Sequence, residues 1–190
     1  MQLILNQTFD WWEPKMHKIP LIKSTFSYEN EVKNQLVQFI LNAEKLSMGT
    51  ECKQFEEAFS QFQGRKFTTM VNSGSSANLL LLQSLLNLGR IKKGDKVGFS
   101  AVTWSTNVMP IIQLGLCPIP IDIDLDTLNV DSEQLSFALE KHNDIKVLFI
   151  TNLLGFCADL EKITEICDSA NILLIEDNCE SMGAKFDDKF

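Results

Sequence analysis

The chain has 190 residues, 45% of them hydrophobic and 22% charged, with a formal net charge of -8. That length supports one domain with a substantial core, and an acidic balance without a basic stripe argues against a nucleic-acid partner, which requires clustered Lys and Arg. No apolar stretch reaches the length of a membrane span, and MQLILNQTFDWW lacks a basic n-region and a cleavage site, so a cytoplasmic protein without membrane contact is expected.

Residues 1–26 mix Trp11, Trp12, Pro14 and Pro20 without periodicity and read as an N-terminal arm. From Ser27 the pattern turns helical: Glu29 and Glu31 fall in the first turn, and Val32, Leu36, Phe39 and Ile40 share a face. SMGT breaks that helix, Thr50 can cap the next, and Cys52, Phe55, Phe59 and Phe62 keep helical spacing up to Gly64. KFTTMV then reads as a strand and SSANLLLLQSLLNLG as a helix ended by Gly89. KVGFS is a short strand, and TWSTNVMPIIQLG a helix entered through Thr103 and Trp104, with Pro110 expected to start or kink it. CPIPIDID is strand-like, Asp131 and Gln134 form a capping-box pattern, KVLFIT is a strand, and Asp159 is placed to cap LEKITEICDSA. NILLIE is the last strand, read as buried on both faces and closed by the acids Glu176 and Asp177. Strands alternating with helices predict an α/β fold, a mostly parallel sheet with flanking helices, whose ligands bind at the carboxyl ends of the strands.

The five cysteines are an odd number without a CxxC pair, and the only histidines, His17 and His142, are far apart in polar surroundings. No metal centre is expected from them, reduced thiols in core positions are, and a Ser-His-Asp or Cys-His mechanism is disfavoured.

Three segments place unusual residues at the carboxyl edge. VNSGSSANLL is a Gly/Ser turn opening a helix; its free N–H groups and the hydroxyls of Ser73, Ser75 and Ser76 suit a phosphate, although a plain serine N-cap would look the same. In SAVTWSTN, Trp104 can serve as a platform for a flat ring, or simply pack. Asp177 can form a charge-assisted bond to a protonated ring nitrogen, or cap a helix. Taken together, phosphate turn, stacking aromatic and ring-nitrogen acid are what pyridoxal 5'-phosphate (PLP) needs. A nicotinamide-dinucleotide domain would require a glycine fingerprint after the first strand, and none is present.

From about Phe26 to Phe186 the chain resembles the first part of the DegT/StrS family of PLP-dependent sugar aminotransferases, which share the aspartate-aminotransferase fold (fold type I). The landmarks are MGTECKQFEEAFSQFQGRK, VNSGSSANLL, GDKVGFSAVTWSTN, GLCPIPIDIDLDTLNVD, the LLGFCADL loop and LIEDNCESMGAK, in that order. The resemblance implies PLP, or pyridoxamine 5'-phosphate, with Ser75 and Ser76 at its phosphate, Trp104 stacked on its ring and Asp177 on its pyridine nitrogen. The resemblance also implies that Glu180 stands near the ring's phenolic oxygen, at a position where most sugar aminotransferases have Gln or His. EDNCES is closer to the nucleotide-sugar 3-dehydrases, which remove the 3-hydroxyl from a nucleotide-linked 4-keto-6-deoxyhexose in surface-polysaccharide synthesis; a nucleotide-sugar aminotransferase is the alternative. Asn152 and Cys157 replace a frequent His and Pro of the family.

The family's Schiff-base Lys, or the His that replaces it, belongs beyond the last strand, and Lys185 and Lys189 follow Asp177 too soon to match it. Residues 27–190 are accordingly expected to form a partial, truncated PLP-binding large domain without a catalytic residue of its own, homodimeric if full length. A catalytically incomplete fragment or binding module is the reading of a different class.

Overall fold

A computed structural model of the chain describes residues 25–186, so all but the last two residues of the predicted arm, and Lys189, lie outside the described residues. The chain divides into two compact units, Met1–Thr50 and Glu51–Phe190. In the first, helix α1 (Glu29–Asn42) carries acids in its first turn, and Glu29 pairs with Lys33 one turn on.

In the second unit α2 (Thr50–Phe62) leads into an extended segment, then α3 (Gly74–Asn87), β1 (Lys96–Ser100), α4 (Ser105–Gln113), β2 (Cys117–Ile121), α5 (Ser132–Lys141), β3 (Ile145–Thr151), α6 (Leu160–Ala170) and β4 (Leu173–Asp177). The strands form a parallel sheet in the order β2-β1-β3-β4. The chain steps outward from β1 to β2 and then crosses back to β3 on the other side of β1. The carboxyl ends of β1 and β3 therefore part at a topological switch point, where such sheets open a crevice.

Each face of the sheet has its own core, because successive side chains alternate. Leu82 of α3 and Ile111 of α4 pack on Val97, Val147, Phe149 and Ile175. Leu135 of α5 and Ile163 of α6 pack on Ile121, Leu148 and Ile150 from the opposite side. Gly98 sits in that second core because a Cβ there would come within 2.8 Å of Ile121 Cδ1.

Four expectations need correction. KFTTMV forms no strand among the described residues, since a strand exists only with a neighbour; the Met70 N–H instead donates to Glu56 (2.8 Å), and Ser60 bonds Thr68 (2.8 Å). β4 is an edge strand of the described sheet; Leu174 packs on one core and Leu173 and Ile175 on the other, so both faces are covered, but within the strand Ile175 alone is buried and Glu176 is exposed. Pro110 does not start α4, which runs through it from Ser105. Of the cysteines only Cys167 is buried in a core; Cys179 is exposed and the other three are half-buried.

Candidate functional site

The alternation that divides the core also separates the two acids at the end of β4. Asp177 follows Ile175 onto the face carrying α3 and α4, while Glu176 turns to the opposite face. The paired carboxylates thus serve different surroundings.

On the α3 face, Ser73 is the helix N-cap: its Oγ accepts from the Ser76 N–H (3.2 Å) and donates to the Ser76 hydroxyl. The capping reading of this turn is therefore correct for Ser73, whereas Ser75 is exposed and its hydroxyl has no partner among the described residues. The N–H groups of Gly74 and Ser75 start the helix and have no carbonyl four residues back to bond. Nothing lies within 4 Å of where a Gly74 Cβ would be, so the space over this end is open. An open helix start with two free N–H groups and a serine hydroxyl is a fit for a phosphate.

Trp104 is the N-cap residue of α4 and is 72% exposed, an unusual position for the largest apolar side chain. Its carbonyl accepts from the Asn107 N–H at 3.0 Å. One residue earlier, the Thr103 hydroxyl shares a 2.6 Å hydrogen bond with Thr151 at the end of β3. The loop bearing Trp104 is thereby pinned to the carboxyl edge of the sheet.

Asp177 joins these parts. Its Oδ2 accepts from Asn107 Nδ2 at 2.9 Å and from Asn78 Nδ2 at 3.3 Å, and its Oδ1 accepts from the Cys179 N–H at 3.0 Å. Asn78 lies one turn into α3 and Asn107 in the first turn of α4, so the helix start with Ser75 and Ser76, the helix entered through Trp104 and the end of β4 meet at one carboxylate. An open helix start, an exposed aromatic and a hydrogen-bonded carboxylate on one sheet edge are the kinds of group that PLP requires.

Glu180 stands apart from this set. Its Oε2 accepts the Leu154 N–H at 2.8 Å, holding the turn Leu153–Gly155, in which Leu154 and Gly155 both have positive φ (56° and 81°). Beside it, buried Asn152 donates to Glu176 (2.9 Å) and to Asn178 (2.6 Å). Asn152, Gly155, Glu176 and Asn178 border a cavity of about 930 Å³ that also reaches Phe67, Cys157 and Asp168 and is lined by neither Glu180, Ser75, Trp104 nor Asp177. Burial, aided by the Glu176 carboxylate, pushes the Cys157 thiol up from its ordinary value.

Asp159 does not cap α6 with its side chain. The carboxylate instead reaches the Ser132 N–H (2.8 Å) and hydroxyl (2.6 Å) at the start of α5. Asp131 caps α5 as expected, accepting from the Gln134 N–H at 2.7 Å.

The sequence reasoning missed Asn78, Asn107, Thr103 and Thr151. One signal was available: Pro110 has no N–H, so the carbonyl four residues earlier, that of Thr106, needs another donor. Asn78 Nδ2 supplies it at 3.4 Å.

The chain is 39% identical over 92% of its length to GDP-4-keto-6-deoxy-D-mannose 3-dehydratase of Escherichia coli O55:H7, and spans 44% of that relative. It is 35% identical over 75% of its length to the lipopolysaccharide biosynthesis protein RfbH of Salmonella typhimurium, of which it spans 33%. A crystal structure of GDP-4-keto-6-deoxymannose-3-dehydratase with a trapped PLP-glutamate geminal diamine superposes with a TM-score of 0.82 at 39% identity, over 90% of this chain and 44% of that one. The α/β architecture is thus that of the aspartate-aminotransferase-like PLP enzymes. Residues 27–190 match the model of the DegT/DnrJ/EryC1/StrS aminotransferase family, and the chain belongs to that family.

Proposed function

We propose that residues 27–190 are the PLP-binding part of a large domain acting on a nucleotide-linked 4-keto-6-deoxyhexose, with loss of the 3-hydroxyl, in the synthesis of surface-polysaccharide sugars. The observation that carries this reading is the convergence on Asp177 of Asn78 from α3 and Asn107 from α4. It puts an ionisable acceptor, an open helix start and an exposed Trp at one sheet edge. When bound, PLP or pyridoxamine 5'-phosphate supplies an electron-withdrawing ring. Ser75, Ser76 and the N–H groups of Gly74 and Ser75 would hold its phosphate, Trp104 its ring face, and Asp177 the proton of its ring nitrogen.

Glu180 supports the dehydration branch over amino transfer, because a carboxylate takes the place of the Gln or His expected of most sugar aminotransferases. Its Oε2 accepts the Leu154 N–H, so the carboxylate fixes the Leu153–Gly155 turn that follows β3. Amino transfer is the second reading, favoured by the family's own description as aminotransferases. The substrate class follows the 39% identical dehydratase and is likewise our reading for this chain. Homodimerisation and a cytoplasmic location belong to the same proposal; among the described residues no helix is long and apolar enough to cross a membrane.

The test is to incubate the purified chain with pyridoxamine 5'-phosphate and GDP-4-keto-6-deoxymannose and analyse the sugar by mass spectrometry. A 3-deoxy product supports dehydration, and an amino sugar assigns the transferase branch. Binding of both compounds without turnover assigns a binding role, and binding of neither overturns the proposal.

A further inference from the structure

Asn107 is a polar side chain that its helix buries almost completely, at 1% exposure. Its Nδ2 faces Asp177 Oδ2 (2.9 Å) and Thr151 Oγ1 (3.3 Å), while its Oδ1 is buried with no partner among the described residues. Rotating the amide by half a turn would set its carbonyl against the carboxylate, lone pairs facing lone pairs. The site thus leaves one buried carbonyl unsatisfied so that both donors of this amide can point at acceptors. Asn78 is held just as specifically, since the Thr106 carbonyl that Pro110 cannot serve takes one of its bonds and Asp177 Oδ2 the other.

Both asparagines load the same oxygen. An ionised carboxylate has about four lone-pair sites, two on each oxygen. On Asp177, Asn107 and Asn78 fill those of Oδ2, and the Cys179 N–H fills one on Oδ1. One acceptor site remains, on Oδ1.

We infer that Asn107 and Asn78 are positioning residues which orient the Asp177 carboxylate so that only Oδ1 can receive the ring-nitrogen proton of the bound cofactor. This rests on the PLP reading above. The two amides act through Asp177 and touch no reacting atom. Thr103 and Thr151, bonded to each other and through Thr151 to Asn107, tie the same network to the loop that presents Trp104.

The experiment compares the affinity of the full chain for PLP and for 1-deaza-PLP, in which CH replaces the ring nitrogen. The wild type should prefer PLP. Asn107→Ser should weaken PLP binding about tenfold, the scale of one hydrogen bond to a charged group, and leave 1-deaza-PLP binding unchanged. Asn78→Leu should do the same to a smaller extent, and circular dichroism establishes that each variant folds. A variant that keeps the full preference for PLP overturns the inference and leaves the cofactor reading intact. A wild type that binds both compounds equally overturns the ring-nitrogen role of Asp177 and the inference with it, and one that binds neither overturns the cofactor reading too. If both variants fail to fold, the asparagines are determinants of folding and the inference is likewise overturned.

Discussion

Asp177 Oδ2 and Asn107 Nδ2 lie 2.9 Å apart although 70 positions separate them in the chain. The contact joins the end of β4 to the first turn of α4, and it makes stability and cofactor binding separable at one residue. Removing the acceptor in Asp177→Ala strands a buried N–H pair and should cost about 1–3 kcal/mol in urea unfolding. Asp177→Asn keeps a carbonyl acceptor for Asn107 and should retain most of that stability. It should nevertheless lose PLP affinity by about tenfold while inorganic phosphate still competes at the α3 start. Unchanged PLP affinity in the Asn variant would sink the assigned role of Asp177.

A second prediction concerns the close packing of β1 against β2. In Gly98→Ala the new Cβ meets Ile121 Cδ1 at 2.8 Å, with Leu148 and Ile145 methyls at 3.4 and 3.5 Å. The crowded atom is the tip of a side chain but sits in a core that has little room to give, so the cost should be about 1–2 kcal/mol. Ile121→Val removes that methyl. The double variant should then be more stable than the sum of the two single changes predicts, by about 0.5–1 kcal/mol in a double-mutant cycle. Strict additivity would show that the core absorbs the methyl elsewhere.

The alternation of apolar runs and helical periods made β1 to β4 and α3 to α6 legible, because each buries a face against one sheet. The segment Lys66–Val71 was not legible in the same way. It has strand composition, but strand formation is a property of a pair of segments, and no partner exists among the described residues. The site shows a similar division. Ser75, Trp104 and Asp177 stood out by residue type and position, whereas Asn78 and Asn107 looked like ordinary polar residues on helices. Their burial depends on how α3 and α4 cross the ends of β3 and β4, which periodicity does not encode. Asp159 illustrates the reverse failure: a good local cap by sequence, its carboxylate found stronger donors 27 positions back at Ser132.

That bridge should govern the acid side of stability. Burial by itself raises the Asp159 carboxyl, but the Ser132 hydroxyl and N–H, with Lys162, outweigh it and hold the group below its ordinary value of 3.8. A carboxyl lowered in the folded state stabilises above its unfolded value, and the benefit disappears as pH falls through the folded one. Asp159→Asn should therefore lower stability at pH 7 by about 1 kcal/mol, a figure reduced for the side chain's partial exposure. Urea midpoints of variant and wild type should converge as the pH drops below about 4. Parallel curves down to low pH would show that the bridge contributes through shape and not through charge.

The alkaline side depends on Cys167. Buried in the α6 core, its thiol is pushed up from 9.0 to about 11, first by desolvation and then by the neighbouring Asp168 carboxylate. The unfolded chain ionises this thiol before the folded chain does, so stability is intact below about pH 9 and declines as pH rises toward 11. The loss should be of order 2 kcal/mol for this group, and Cys167→Val should remove it from the pH profile of the urea midpoint. The same burial sets chemical reactivity, because the thiolate is the nucleophile. At neutral pH iodoacetamide should label exposed Cys179 readily and Cys167 only once the chain unfolds, as peptide mass mapping can establish. Equal labelling of the two in the folded chain would mean that α6 opens on the timescale of the reaction and that its core is not the closed one on which both expectations depend.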